Sequence, residues 1–365
     1  MKILHFHRSL GAGGIESMVC NLANAMAETE DVTVGTVFHQ NQENLAYSKL
    51  DDKVHYISLN KKSDATKPFR EILLMPFLIG RGHYDVVNIH GYFYYYVLAV
   101  LFLHKKTRFF YTLHSVAQHE GPPWDQKIQR IKTLYFKKGW MRAITISEMA
   151  SQSFTEMYGL ESRLIENGVP TPVLGSSLGL GQEFGLKADT RVFIHPARIT
   201  APKNQLVLCR VFDRLIKEGN DIALLIAGEN HDRSIFEEIS HYFSDRVRYI
   251  GIRKDIAELM SMSAGLCLPS LFEGFSLVLA EGLAVGCVPI CTNVGLVPEA
   301  IEDGVSGIVS NSPSEEDYYD AMTRFLSLSD EQLSDMKAKC RQAFTRYEIH
   351  NASREYLEYY KSQGK

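Results

Sequence analysis

The stretch Leu266-Cys267-Leu268-Pro269-Ser270-Leu271-Phe272-Glu273-Gly274-Phe275-Ser276-Leu277-Val278-Leu279-Ala280-Glu281-Gly282 decides how this chain is read. Its apolar start has the length of a buried strand and stops at Pro269-Ser270. A turn follows. Ser276 is of a type favoured at a helix N-cap, and apolar residues recur on the helical period through Leu283. A helix that starts beside the carboxyl edge of a parallel strand leaves backbone N–H groups free to receive an anion. Phe275, Ser276 and Leu277 mark that start. Glu273 precedes it, and Glu281 lies about 7–8 Å further along the axis at 1.5 Å per residue. Carboxylates accept hydrogen bonds from hydroxyls, so the combination suits a ligand carrying both phosphate and polyol groups. Two surface glutamates on an ordinary helix would show the same spacing, so the neighbouring elements have to decide.

Outward from this stretch, short apolar runs alternate with helical patterns. In the second half the runs are residues 192–195, 223–227, 247–251, 265–268, 288–292 and 307–309. In the first half they are 3–6, 32–38, 86–89, 109–113 and 143–146, with helical spacing between them, as over residues 18–27. That rhythm predicts βα units on parallel sheets. A length of 365 residues predicts two domains. Residues 166–170 and the Gly- and Ser-rich 175–181 form the hinge candidate. The expected fold is α/β, with two Rossmann-like doubly wound lobes, 1–168 and 169–346, facing across a cleft.

Composition narrows the function classes. The chain is 45% apolar and 22% charged, with a net charge of −4, which argues against nucleic acid as a partner. Its six cysteines include no C-x-x-C pair and read as reduced core residues, so neither a disulfide frame nor a zinc site is expected. The N-terminal residues lack the apolar core of a signal peptide. The longest apolar run, 92–103, is about half a bilayer span. A cytoplasmic protein without a transmembrane helix is expected. Residues 126–142 contain Lys127, Arg130, Lys132, Lys137, Lys138 and Arg142 and no acid, interleaved with apolar and aromatic side chains. A solvated face on a core-packed helix and a peripheral contact with anionic membrane both fit that pattern, and the aromatic 92–96 and Lys105, Lys106 and Arg108 would extend the second.

The opening stretch resembles the E-x7-E element of retaining glycosyltransferase family 4, whose members have the two-lobed GT-B fold. Other elements follow in the family's order. Gly13-Gly14-Ile15-Glu16 resembles its Gly-Gly-x-Glu turn, and Asp85-Val86-Val87-Asn88-Ile89-His90 its D-V-V-x-x-H element. Thr112-Leu113-His114 resembles its T-x-H element. Arg198 and Lys203 keep the family's Arg-to-Lys spacing, although Ala197 stands where Gly is usual. Gly228-Glu229-Asn230 departs from the usual G-x-G.

The resemblance implies a role for each position. Arg198 and Lys203 would hold the donor diphosphate with the helix start at Phe275, Ser276 and Leu277, and Gly14 would approach it by its backbone. Glu281 would hold the ribose, and main-chain groups of Ile252 and Arg253 the base. Glu273 and His114 would face the donor sugar, with His90 behind them or toward the acceptor. The C-terminal helix, 347–365, would cross back onto the first lobe. The implied activity is transfer of a hexose or N-acetylhexosamine from a nucleotide-sugar, UDP-linked by first expectation, with retention and without metal or cofactor. The acceptor would be a glycan or polyprenyl-linked saccharide of surface polysaccharide synthesis, met at the inner face of the plasma membrane. Three rivals stay open: a sugar-nucleotide epimerase, an NAD-dependent oxidoreductase and a non-catalytic binding module.

Overall fold

A computed structural model describes residues 1–11, 13–62, 68–119, 126–175 and 178–364. The chain forms two compact units, Met1–Pro170 with Glu348–Lys365, and Thr171–Tyr347. The first holds β1 (Lys2–His7), α1 (Gly14–Met26), β2 (Asp31–Phe38), β3 (His55–Lys61), α2 (Phe69–Gly82), β4 (Val86–His90) and α3 (Val97–Leu103). It continues with β5 (Arg108–Leu113), α4 (Gln126–Lys137), β6 (Met141–Thr145), α5 (Glu148–Tyr158) and β7 (Arg163–Leu164). The second holds α6 (Leu180–Phe184), β8 (Arg191–Pro196), α7 (Gln205–Lys217), β9 (Ile222–Ala227), α8 (Arg233–Ser240), β10 (Val247–Gly251) and α9 (Ile256–Met262). Then come β11 (Gly265–Leu268), α10 (Leu277–Val285), β12 (Pro289–Thr292), α11 (Val297–Ala300), β13 (Ile308–Ser310), α12 (Glu315–Leu326) and α13 (Asp330–Phe344). The last helix, α14 (Ile349–Ser362), returns to the first unit.

Both sheets are parallel, ordered β3-β2-β1-β4-β5-β6-β7 and β10-β9-β8-β11-β12-β13. Central strands such as β4 are buried throughout, as a sheet covered on both faces requires. In the first unit, Leu4, Phe6, Val87, Ile89, Phe109 and Tyr111 pack under α2, α3, α4 and α5. The alternate side chains face α1 and α14. Phe110 lies 4.6 Å from the Tyr360 ring, and Asn88 Nδ2 donates to Tyr360 Oη at 2.8 Å. Tyr356 and Tyr360 are fully buried, so α14 is a structural part of this unit. The strands missing from the sequence reading are β3 and β7. The first is an edge strand with exposed positions and the second has two residues, so neither carries a clean period.

All six cysteines are buried and free. No described helix is long and apolar enough to cross a membrane.

Of the cations expected on a basic face over 126–142, Lys127, Arg130, Lys137 and Lys138 are exposed, whereas Lys132 and Arg142 depart from it. Lys132 is 1% exposed, and its Nζ lies 3.7 Å from the centroid of the Tyr111 ring. The apolar side of α4 docks on the sheet, and Lys132 falls on that side, where its stem packs and its charge meets an aromatic face. Arg142 sits on β6 and is half-buried. Of the aromatic run, Phe93, Tyr95 and Tyr96 turn into the core and Tyr92 stays partly exposed.

Candidate active site

In the second unit the strand order reverses beside β8, with β9 and β10 on one side and β11 to β13 on the other. Ligands of open α/β sheets bind at such switch points, beyond the carboxyl strand ends. The loops after β8 and β11 therefore run side by side, and between them they carry Arg198, Lys203, Glu273 and Ser276. Leu271 N donates to Pro202 O at 2.8 Å, joining the two loops through their backbones. Lys203 Nζ lies 2.5 Å from Glu273 Oε1, and Ser270 Oγ donates to the same oxygen at 2.8 Å. The Arg198 side chain is exposed and has no ion-pair partner among the described residues.

Several supports were not singled out in the sequence. Gln205 is fully buried and its Nε2 donates to Arg198 O at 2.8 Å. Asn204 takes a left-handed conformation, φ 56°, and its Nδ2 donates to Pro269 O and Pro313 O at 3.1 and 3.0 Å. Asparagine is among the few residues that tolerate this geometry while bonding locally. Gly295 has φ 60°, and a Cβ there would sit 2.6 Å from Glu273 Cβ. The Glu273 loop packs directly on it. Gly228, φ 144°, allows a comparable approach, since its Cβ would meet Ala197 O at 2.1 Å, just before Arg198.

Ser276 stands at the N-cap of α10, as expected, but its side chain makes no capping bond. Its Oγ is buried with no hydrogen-bond partner. The first N–H groups of a helix have no partner within the helix. An unsatisfied buried hydroxyl costs roughly 1–3 kcal/mol, so this corner is suited to receiving an acceptor from outside. Glu281 follows in the second turn of α10 and is half-buried. Ile252, beyond β10, is 56% exposed. Arg253 is held by Asp255 at 2.6 Å and Glu183 at 2.7 Å, which keep its guanidinium charged and occupied. Its main chain, not its side chain, remains available.

In the first unit three imidazoles form a row across β1, β4 and the end of β5. His5 Nδ1 lies 3.0 Å from His90 Nε2, and His90 Nδ1 lies 2.9 Å from His114 Nε2. At one end His5 Nε2 meets Met26 Sδ at 3.3 Å. Burial lowers His5 and His114 to about 3 and His90 well below its ordinary value. The row is therefore neutral at physiological pH. His114 can donate or accept toward a hydroxyl but cannot serve as a cation. His90 is wholly buried and touches His114, so it positions that ring. His5 and His7 were not singled out. Their signal was present in Leu4-His5-Phe6-His7, where alternation puts both histidines on the face opposite the apolar pair. His7 Nδ1 is 2.6 Å from His90 O, and its Nε2 is 3.9 Å from Glu16. Glu16 folds back over Gly13 at the start of α1, leaving Gly14 exposed. No group of three or more His, Cys, Asp or Glu among the described residues is arranged to hold a metal ion.

Residues 181–343 match the family model described as glycosyl transferases group 1, and 12–172 match that described as Glycosyltransferase Family 4. The chain is 23% identical over 337 residues to GDP-mannose:cellobiosyl-diphosphopolyprenol alpha-mannosyltransferase of Xanthomonas campestris, covering 85% of this chain and 83% of that protein. It is 32% identical over 130 residues to N-acetyl-alpha-D-glucosaminyl L-malate synthase of Bacillus anthracis, covering 35% of this chain and only 34% of that one. Among solved structures, Anabaena Alr3699/HepE in complex with UDP and glucose superposes with a TM-score of 0.79 at 18% identity, covering 99% and 100% of the two chains. A glycosyltransferase from Rickettsia africae gives 0.81 at 18% identity, covering 99% and 98%. The chain belongs to glycosyltransferase family 4 and has the GT-B fold.

Proposed function

We propose that this protein moves a sugar from a nucleoside diphosphate onto a glycan or polyprenyl-linked saccharide, with retention, in surface polysaccharide synthesis. The observation that carries the reading is the α10 N-terminus, where Ser276 Oγ is buried without a partner. It lies in the same loop as Glu273, which pairs with Lys203.

As the glycosidic bond breaks, the diphosphate gains negative charge, and fixed donors aimed at that charge lower the barrier. Arg198 offers a planar fork, Lys203 a point charge, and α10 its free N–H groups. A diphosphate arriving at Lys203 shares that cation with Glu273, and Glu273 then accepts from sugar hydroxyls. Glu281 serves the ribose, and the main chain at Ile252 and Arg253 the base. His114, being neutral, suits a sugar hydroxyl. Glu16 already supplies negative charge at the start of α1, so Gly14 contributes close backbone approach. A double displacement needs a carboxylate nucleophile beneath the anomeric carbon. Glu273 is tied to Lys203 and Ser270 and serves hydroxyls here, so front-face departure is the favoured route. The reading needs no metal or cofactor.

A UDP-sugar is the first donor to test, because a protein of this fold was solved with UDP and glucose. GDP-mannose is the second, from the name of the Xanthomonas relative. The polyprenyl-linked acceptor also follows that relative's name, and with such an acceptor the protein would work at the cytoplasmic face of the membrane. A thermal-shift screen across UDP-, GDP- and ADP-sugars tests the donor site. A ligand at 100 times its dissociation constant adds about 2.7 kcal/mol of stability. Silence across the panel refutes the reading, an inverted anomer in the product refutes retention, and loss of turnover in EDTA refutes metal independence.

A further inference from the structure

Helix α2 is amphipathic in an unusual sense. Its inner face, Glu71, Met75 and Ile79, is buried. Its outer face carries Phe69, Leu73 and Phe77, which are 68%, 67% and 66% exposed. These three recur every fourth residue and cover about 12 Å of one face at 1.5 Å per residue. Leu74 and the exposed Arg70 and Arg81 complete that face, and the helix's one acid, Glu71, points inward. Neighbouring α3 packs against α2 and adds Phe102, 67% exposed, and Leu101. Solvated helices carry polar residues on this side. Phe69, Leu73 and Phe77 protruding beside Arg70 and Arg81, with Phe102 alongside on α3, are the pattern of helices lying in a lipid interface.

The chain just past α3 supplies the complementary charge. A cavity of about 170 Å³ is lined by Lys105, Lys106, Arg108 and Arg142, with Trp140 stacked on His104 at 4.1 Å and no acid in the lining. That chemistry fits a lipid phosphate, and the cavity begins two residues after Phe102.

We propose that α2 and α3 form a monotopic docking face for an anionic bilayer surface, with the apolar side chains in the acyl boundary and the cations at the headgroups. This face is distinct from the basic segment on α4 expected from the sequence, whose Lys127, Arg130, Lys137 and Lys138 are also exposed. The inference rests on the transferase reading only for its purpose, because the docking itself needs neither donor nor acceptor.

The test is co-sedimentation of the full chain with vesicles of phosphatidylcholine alone or with 30% phosphatidylglycerol (roughly the anionic content that gives a strong surface potential), at low and high salt. Binding is expected to anionic vesicles at low salt. The triple variant Phe69→Ser, Leu73→Ser, Phe77→Ser should lower it at least tenfold, and Lys105→Gln with Lys106→Gln should remove most of its salt dependence. Because all six native cysteines are buried, a Leu73→Cys variant takes an environment-sensitive dye at one place. Its emission should shift to the blue with anionic vesicles, whereas a dye at Lys137→Cys should not. The melting temperature of the triple variant checks that it folds. Equal binding by wild type and triple variant overturns the proposal, as does no binding by wild type. So does a concentration-dependent dimer that the triple variant abolishes, since the face would then serve a second copy. Nucleoside diphosphate binding by calorimetry is a separate readout. Its failure would refute the transferase reading and leave the docking result standing.

Discussion

Mild acid should open the first unit before the second. The cause is the row His5–His90–His114. Each ring is buried and kept neutral, with His5 and His114 lowered from 6.5 to about 3. In the unfolded chain the same rings take up protons near pH 6.5. Because the folded values lie below the unfolded ones, the stability from keeping them neutral is complete above pH 6.5 and is lost as pH falls toward 3. His5 and His114 each lose about 2 kcal/mol between pH 7 and pH 5, at 1.36 kcal/mol per pKa unit. His5 and His114 together lose about 4 kcal/mol and His90 adds in the same direction, a large part of the 5–15 kcal/mol typical of a domain. The second unit contains one comparable ring, His195, lowered to about 4 by burial, and loses about 2 kcal/mol. His350 opposes the trend, since Glu28 and Glu348 raise it, but it is mostly exposed and screened. Hydrogen exchange at pH 7 and pH 5, corrected for intrinsic rates, reads the two units separately. Peptides over β1, β4 and β5 should lose at least twice as much protection free energy as those over β8 and β9. His90→Gln, which can still donate and accept, should reduce the proton uptake of the first unit on opening. Equal losses in both units, or no loss above about 1 kcal/mol, would refute the neutral row.

Two further predictions concern packing. Gly295→Ala should cost about 2 kcal/mol from its positive φ and the crowded Glu273, and should cut turnover at least tenfold. Gly304→Ala, also at positive φ but with open space around it, should cost about 1 kcal/mol and leave turnover intact. Matching turnover in the two variants would show that the Gly295 contact does not position Glu273. Lys132→Ala should cost about 3 kcal/mol by urea titration, as for a long side chain removed from a core. Lys127→Ala and Lys137→Ala, on the exposed side of α4, should stay within about 0.5 kcal/mol. A Lys132 variant as mild as its neighbours would contradict its inward placement.

Much of this architecture was legible because parallel strands buried on both faces give unbroken apolar runs, as at 223–227 and 265–268. Both sheets and the helix at Leu277 could be read that way. The spacing of Arg198, Lys203, Glu273 and Glu281 was visible for a similar reason, since each follows a strand end. What a linear pattern could not carry was partnership. That Lys203 grips Glu273 depends on two loops separated by about 70 residues meeting at the sheet's switch point. The imidazole row depends on the register of three strands. Lys132 misled because composition counts a lysine as surface, whereas helix phase put its stem in the core. Phe69, Leu73 and Phe77 carry the apolar period of a core-facing helix, yet they are exposed. Apolar spacing shows that a face exists but not which way it points.

A diphosphate held by Arg198, Lys203 and the α10 N-terminus is the centre of the proposed activity. Titration calorimetry of UDP, GDP and ADP against the wild type and the Arg198→Ala, Lys203→Ala double variant measures this directly. Hydrogen bonds to charged groups contribute about 1.5–3 kcal/mol each, so the double variant should bind its nucleotide at least a hundredfold more weakly at an unchanged melting temperature. A double variant that binds as tightly as the wild type would contradict the site.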